Sequence, residues 1–209
     1  MKKILFLISA VLITGSAFAQ KNTISENIGV VLPISQNLKS NQSCVVGSSF
    51  GVTFQHGEKF NLMVSLNIEN FRLNDDDLQY YADNISAYEN TDVTCKANGS
   101  KSYNLGVGLG TNLELGRSGF FISPFAQCLI GLYQDYKIDC NIDTYDLERI
   151  GYFQVGGNFG LDMYKMFSDS FGMGIKINDY IGLPTMLNDS WSDVPIDYMN
   201  IQLKFVQKF

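Results

Sequence analysis

Six ionisable side chains fall at two-residue spacing within stretches whose alternate positions are apolar: Glu69, Glu114, Asp162, Lys176, Lys204 and Lys208. On a strand that spacing sends each to the face carrying Asn, Gln and Gly, away from the apolar face. If that face is enclosed, the three acids and three bases must find one another, because unpaired charge is costly away from water. Glu114 and Asp162 are expected to pair with Lys204, Lys208 or Lys176. The chemistry open to such a group is an internal salt-bridge brace, or a gate or proton path. The brace is the reading adopted.

Other chemistry is scarce. The chain has a single histidine, His56, in a short polar turn, so a Ser-His-Asp arrangement has little to build on. No phosphate loop, dinucleotide fingerprint or zinc spacing occurs, and no catalytic, cofactor or metal site is assigned. Four cysteines, Cys44, Cys95, Cys128 and Cys140, show no metal-ligand spacing. Cys95 and Cys140 lie in neighbouring long links and are the first candidate disulfide, with Cys44–Cys95 as the alternative. Cys128 sits mid-strand and is expected to be a free, buried thiol. The run Asn74-Asp75-Asp76-Asp77 clusters carboxylates suited to Ca²⁺ but lacks calcium-loop spacing, so it reads as a solvated acidic segment. Tyr80, Tyr81 and Tyr88 in the same link, and Trp191 in the last one, are either a recognition surface or packing on a rim.

These residues need elements to hold them, and alternation supplies eight. The third segment is the cleanest: Phe60, Leu62, Val64, Leu66 and Ile68 alternate with Asn61, Met63, Ser65, Asn67 and Glu69. The fourth sets Tyr103, Leu105, Val107 and Leu109 against Asn104, Gly106, Gly108 and Gly110. Segments at 28–34, 46–55, 152–162, 171–178 and 199–209 follow the same rule. The fifth, from Phe120 to Tyr133, contains Pro124 and has two rather apolar faces, so its parity stays open. Short links near 56–59, 116–119 and 164–170 alternate with long ones at 35–43, 72–100, 134–149 and 181–195.

The ends set the compartment. Lys2-Lys3, an apolar stretch of about ten residues from Ile4 to Ile13, and Ala17-Phe18-Ala19 read as an export leader removed after Ala19. The stretch is shorter than the roughly 20 residues a membrane helix needs. Residues 1–19 are therefore the leader and 20–209 one domain. Without Lys2 and Lys3 the formal charge falls from −6 to −8, that is 13 bases against 21 acids, which argues against nucleic acid. The last eleven residues alternate and close on Phe209, unlike a frayed polar tail. The chain is 45% hydrophobic yet holds no long apolar run, a combination that a closed barrel in lipid resolves.

Leader, eight alternating strands, loop asymmetry and terminal Phe together resemble the small OmpA/OmpX-like, or porin-family, outer-membrane β-barrels. The resemblance implies an all-β fold: an eight-stranded antiparallel up-and-down transmembrane β-barrel with short periplasmic turns and long extracellular loops. It places the chain, as a monomer, in the outer membrane of a Gram-negative bacterium, against lipid and lipopolysaccharide. Aromatic girdles are expected from Phe60, Phe71, Tyr103, Phe120, Phe121, Tyr133, Phe171, Tyr198 and Phe209. Eight-stranded relatives that modify lipid A resemble histidine-dependent enzymes acting at the outer leaflet; His56 lies on the opposite, periplasmic side, and the chain is not expected to be an enzyme. Three readings of function follow. The first is a structural, adhesive or protective role through acidic outside loops that meet an extracellular ligand or surface. The second is a narrow transport or gating barrel. The third is a soluble lipocalin-like barrel with its apolar face turned inward.

Overall fold

The structure, a computed structural model, describes residues 22–34, 44–134, 136–142, 145, 151–185 and 196–209. The expected leader lies outside them, as do Trp191 and the loop acids Asp135, Asp143, Asp146, Glu148, Asp189 and Asp193.

Period-two alternation gives the strands β1 (Asn22–Pro33), β2 (Cys44–His56), β3 (Phe60–Leu73), β5 (Lys101–Thr111), β7 (Phe120–Gln134), β9 (Gly151–Met166), β10 (Phe171–Thr185) and β11 (Ile196–Lys208). Each reaches the roughly 9–11 residues that a tilted strand needs to cross a bilayer. They pair antiparallel in the order β5-β3-β2-β1-β11-β10-β9-β7, and β5 returns to β7, so the sheet closes on itself. β6 (Leu113–Glu114) is a two-residue extension beyond Asn112 that pairs only with β7. One register shift, between Val45 and Ser48, interrupts the β2–β3 ladder.

Tight turns join the strands at one end. Gly57 (φ 123°), Gly116 and Gly119 (φ 68° each) adopt conformations there that a side chain resists. Links 34–43, 74–100, 135–150 and 186–195 all leave the opposite end. Two of them carry structure absent from the all-β expectation: α1 (Asp75–Glu89), and the two-stranded sheet of β4 (Cys95–Asn98) and β8 (Lys137–Cys140). Asn74 caps α1 by accepting from the Asp76 N–H, and Asp75, Asp76 and Asp77 complement the dipole of its first turn. Leu78, Tyr81, Ala82 and Ile85 supply the helical apolar face that a reading of the segment as solvated loop overlooks.

The barrel is apolar outside and polar inside. Leu66, Leu109, Phe159 and Leu203 are each more than half exposed, whereas Asn27, Thr53, Ser102 and Asp162 are fully buried. A soluble lipocalin-like barrel has the reverse arrangement, so that reading is corrected. β7 resolves its open parity: Ser123, Phe125, Gln127, Leu129 and Tyr133 point inward, and Pro124 lies on the outer face. The same parity turns Cys128 outward, correcting the expectation of a buried thiol; it is free and exposed. Phe60, Tyr103 and Phe171 lie on the outer face, as girdle residues would. Phe71, Phe121, Tyr133 and Tyr198 do not: they sit on the inward parity, within the lumen.

Closure requires close approach. A Cβ on Gly108 would lie 2.0 Å from the Ala126 carbonyl oxygen and 2.5 Å from the Gln127 Cα, both backbone atoms. Gly108→Val is therefore expected to cost about 3 kcal/mol or more. On a cold detergent gel it will abolish the fast-migrating folded band, while Val107→Leu on the outer face will retain it.

Candidate functional site

The lumen is built from the inward positions in layers. At the short-turn end Phe121 stacks on Tyr164, with centroids 5.1 Å apart. Above them Lys204 Nζ donates to Asp162 Oδ2, both side chains fully buried. Lys176 is the direct cross-strand partner of Asp162, and its Nζ lies 4.8 Å from the centroid of the Phe125 ring. Asp162 thus stands between two lysines, hydrogen-bonded to one and register-paired with the other.

A belt of neutral polar groups follows. Ser65 Oγ and Asn158 Nδ2 both donate to Gln127 Oε1, at 3.1 and 2.9 Å. Asn178 Nδ2 donates to Asn158 Oδ1 at 2.8 Å, and Gln202 Nε2 to Ser49 Oγ at 2.6 Å. Glu69 is buried nearer the long-link end. Its carboxylate accepts from Asn104 Nδ2 at 3.1 Å and Asn200 Nδ2 at 3.3 Å. An aromatic layer covers it: Tyr180 stacks on Tyr198 at 4.5 Å, and Phe71 meets the Tyr198 ring edge-on at 5.3 Å. Tyr133, Leu129 and Val31 complete that cluster. Buried side chains close the lumen across its middle and its long-link end, as an eight-stranded ring dictates.

Four of the six predicted charges are therefore buried in the lumen: Asp162 bonded to Lys204 with Lys176 across the ladder, and Glu69 in a separate layer held by amides. Glu114 and Lys208 do not join them. Both are exposed and line a recess of about 610 Å³ at the short-turn mouth, with Glu58 and Lys59. The reason is local. β5 ends at Thr111, the Asn112 N–H turns to the Lys59 carbonyl, and Glu114 then lies past the rim. Lys208 is the last residue of β11 and stands at the rim. His56 is also at this mouth, its Nδ1 2.8 Å from Asn22 Oδ1.

The second built region is a cap on the long-link end. Cys95 and Cys140 face each other across β4–β8 and form a disulfide. Ile85 and Val93 pack against Ile138 and Cys140, with Leu73, Leu78, Tyr81, Tyr136 and Tyr145 around them. The Asn90 left-handed cap ends α1, and Ser86 Oγ accepts from the Val93 N–H to turn the chain toward β4. Asn141 ties the two links together: its Oδ1 accepts from the Thr94 N–H and its Nδ2 donates to the Asp92 carbonyl. Tyr81 donates to the Tyr145 carbonyl at 3.0 Å, and Tyr145 donates to Glu89. That last bond is the main reason the Tyr145 phenol is pushed up to about 12.

Solved structures with the same architecture are outer-membrane proteins. A major outer membrane protein from Thermus thermophilus matches with a TM-score of 0.55 and 8% identity, over 91% of this chain and 100% of that one. Neisserial surface protein A matches with a TM-score of 0.51 and 9% identity, over 90% of this chain and 97% of that one. This chain has the fold of the small outer-membrane β-barrels. By sequence, no protein-family model matches it, and no curated protein does. At such identities the likeness shows the fold alone, so the sites must be argued from this chain's own residues.

Two outcomes follow from the geometry. Asp162→Asn leaves Lys204 and Lys176 buried without an acid between them, and is expected to cost about 3–5 kcal/mol. Lys204→Met leaves Asp162 beside Lys176 and will cost less. Urea midpoints in detergent, read by circular dichroism, should rank the two in that order. The disulfide joins residues 45 apart, which on the chain-entropy model contributes at most about 4 kcal/mol. Dithiothreitol, or Cys95→Ser with Cys140→Ser, should expose residues 74–100 to protease while the barrel keeps its cold-gel mobility.

Proposed function

We propose that this chain is exported with residues 1–19 as its leader, inserts as a monomer in the outer membrane among lipid and lipopolysaccharide, and works as a surface-interaction protein through the cap. One observation carries the reading: the cap is a constructed unit, with its own apolar core, disulfide and capped helix, standing on a barrel whose lumen is closed beneath it by a buried layer of rings. A loop that only linked two strands would need none of these. Placing the cap outside the cell follows from the apolar outer band and from the tight turns at the other end. Its acids suit a cationic partner and disfavour nucleic acid. The reading contains no catalytic step: His56, the single histidine of the chain, is bonded to Asn22 at the far mouth. The lumen charges act as a brace.

Two measurements test this. Purified barrel in a planar bilayer should carry no sustained ion current, because the Phe71, Tyr133, Tyr180 and Tyr198 layer blocks the path. A steady conductance that Asp162→Asn alters would instead favour transport. Cells displaying the chain should bind protein-coated surfaces, and replacing residues 75–98 by a short turn should remove that binding without changing barrel insertion. Equal binding by both kinds of cell would sink the surface role.

A further inference from the structure

Part of the cap's tyrosine-rich packing is left open to solvent. Tyr81, Asn84, Ile85, Tyr88 and Tyr145 line an open groove of about 380 Å³ along α1. Two of the three phenols are committed inside the cap, Tyr81 to the Tyr145 carbonyl and Tyr145 to Glu89. What these two rings offer an incoming group is therefore mainly aromatic surface. The third, Tyr88, is 83% exposed at the groove's edge.

The charge around the groove selects the occupant. α1 holds Asp75, Asp76, Asp77, Asp83 and Glu89 and no lysine or arginine, and among the described residues the groove's lining contains no base either. Aromatic faces attract cations electrostatically; Asp77, four residues before Tyr81, is on the groove's side of α1 by helical spacing, and the helix's other carboxylates raise the local cation concentration at longer range while repelling polyanions. The acids are spread along a fifteen-residue helix, about 22 Å at 1.5 Å per residue. A polypeptide bearing several cations matches that spread; a single cationic headgroup meets only one point of it.

We propose that the tyrosine-lined groove anchors a lysine or arginine side chain of a basic protein segment laid along α1. The inference rests on the surface-interaction reading and names the chemistry of its partner.

The test uses the full chain folded in lipid nanodiscs, with fluorescein-labelled octalysine as probe and anisotropy as readout. Saturable binding is expected, weakening as salt rises. Tyr88→Ala should weaken it about fivefold, the size of one exposed cation–π contact, and Tyr88→Trp should restore or strengthen it. Asp76→Asn, Asp77→Asn and Asp83→Asn together should weaken it and flatten its salt dependence. Tyr88 is exposed, so its replacement leaves the fold intact, which the cold-gel shift will verify. Absence of octalysine binding overturns the inference. So does unchanged affinity in Tyr88→Ala, since the peptide would then be held by diffuse charge alone. Capture of phosphatidylcholine vesicles that depends on Tyr88, in place of octalysine binding, overturns it in favour of a single quaternary headgroup. If trimming residues 75–98 abolishes surface binding while Tyr88→Ala does nothing, the groove assignment falls and the surface role stands. If trimming does nothing, both fall.

Discussion

The seam between the first and last strands is the contact on which everything else depends. β1 and β11 pair from Thr23 opposite Lys208 to Pro33 opposite Tyr198. Beyond the ladder the Asn22 and Phe209 backbones exchange bonds at 3.2 and 3.0 Å. In lipid an unpaired N–H or C=O has no water to turn to, and an open sheet carries a whole row of them on each edge. Closing the seam removes both edges together. It also joins the segments farthest apart in the chain, so it stands as a ring only when every intervening ladder is in register.

A ring of eight strands leaves an interior just wide enough for side chains, and the sorting of residues follows from that. Inward positions are mostly polar because lipid takes the apolar face, and small ones such as Gly106 and Gly160 stand against the larger inward Leu129 and Phe125. Burying polar groups obliges them to bond to each other, hence the belt from Ser65 through Gln127 and Asn158 to Asn178. The same obligation places Asp162 among lysines and gives Glu69 two amide donors. Toward the long-link end the interior is closed by rings rather than amides, and stacking of Tyr180 on Tyr198 makes that layer dense.

Much of this is legible in the sequence because period two is a strong signal and a slip of one residue would turn a whole strand over. The strands, the outward apolar face and four of the six lumen charges follow from parity alone. Parity does not say where a strand leaves the wall. Glu114 has the inward phase of β5 but lies beyond the break at Asn112, and Lys208 has the phase of β11 but sits at its end. Nor does position near a strand end decide which way an aromatic points. Phe71 and Tyr198 stand where girdle residues are expected, yet their phase, shared with Glu69 and Asn200, turns them inward. β7 is opaque to parity because both its faces are apolar, and its inward Phe125, Leu129 and Tyr133 serve the lumen's own packing. α1 is hidden by its acids, although Asn74 followed by an apolar pattern at 78, 81, 82 and 85 is a helix signature.

The cap is less separate from the barrel than its loops suggest. β5 and β7 are wall neighbours, with Lys101 opposite Gln134 at the rim. Three residues further out on each strand, Asn98 stands opposite Lys137 and opens the β4–β8 ladder, which keeps the same register as far as Cys95 opposite Cys140. The outer sheet is thus the continuation of one barrel hairpin, interrupted at residues 99–100. There the Ser100 carbonyl accepts from the Phe71 N–H on β3. Gly99 has no room for a side chain at that crossing, since a Cβ would lie 1.8 Å from the Phe71 carbonyl oxygen. The wall's register therefore sets the two cysteines opposite each other, and the disulfide locks the two links together there. A helix packed on that extension is tied to the wall through β4, β8 and the disulfide, which presents its exposed acids and tyrosines on a structured surface above the rim.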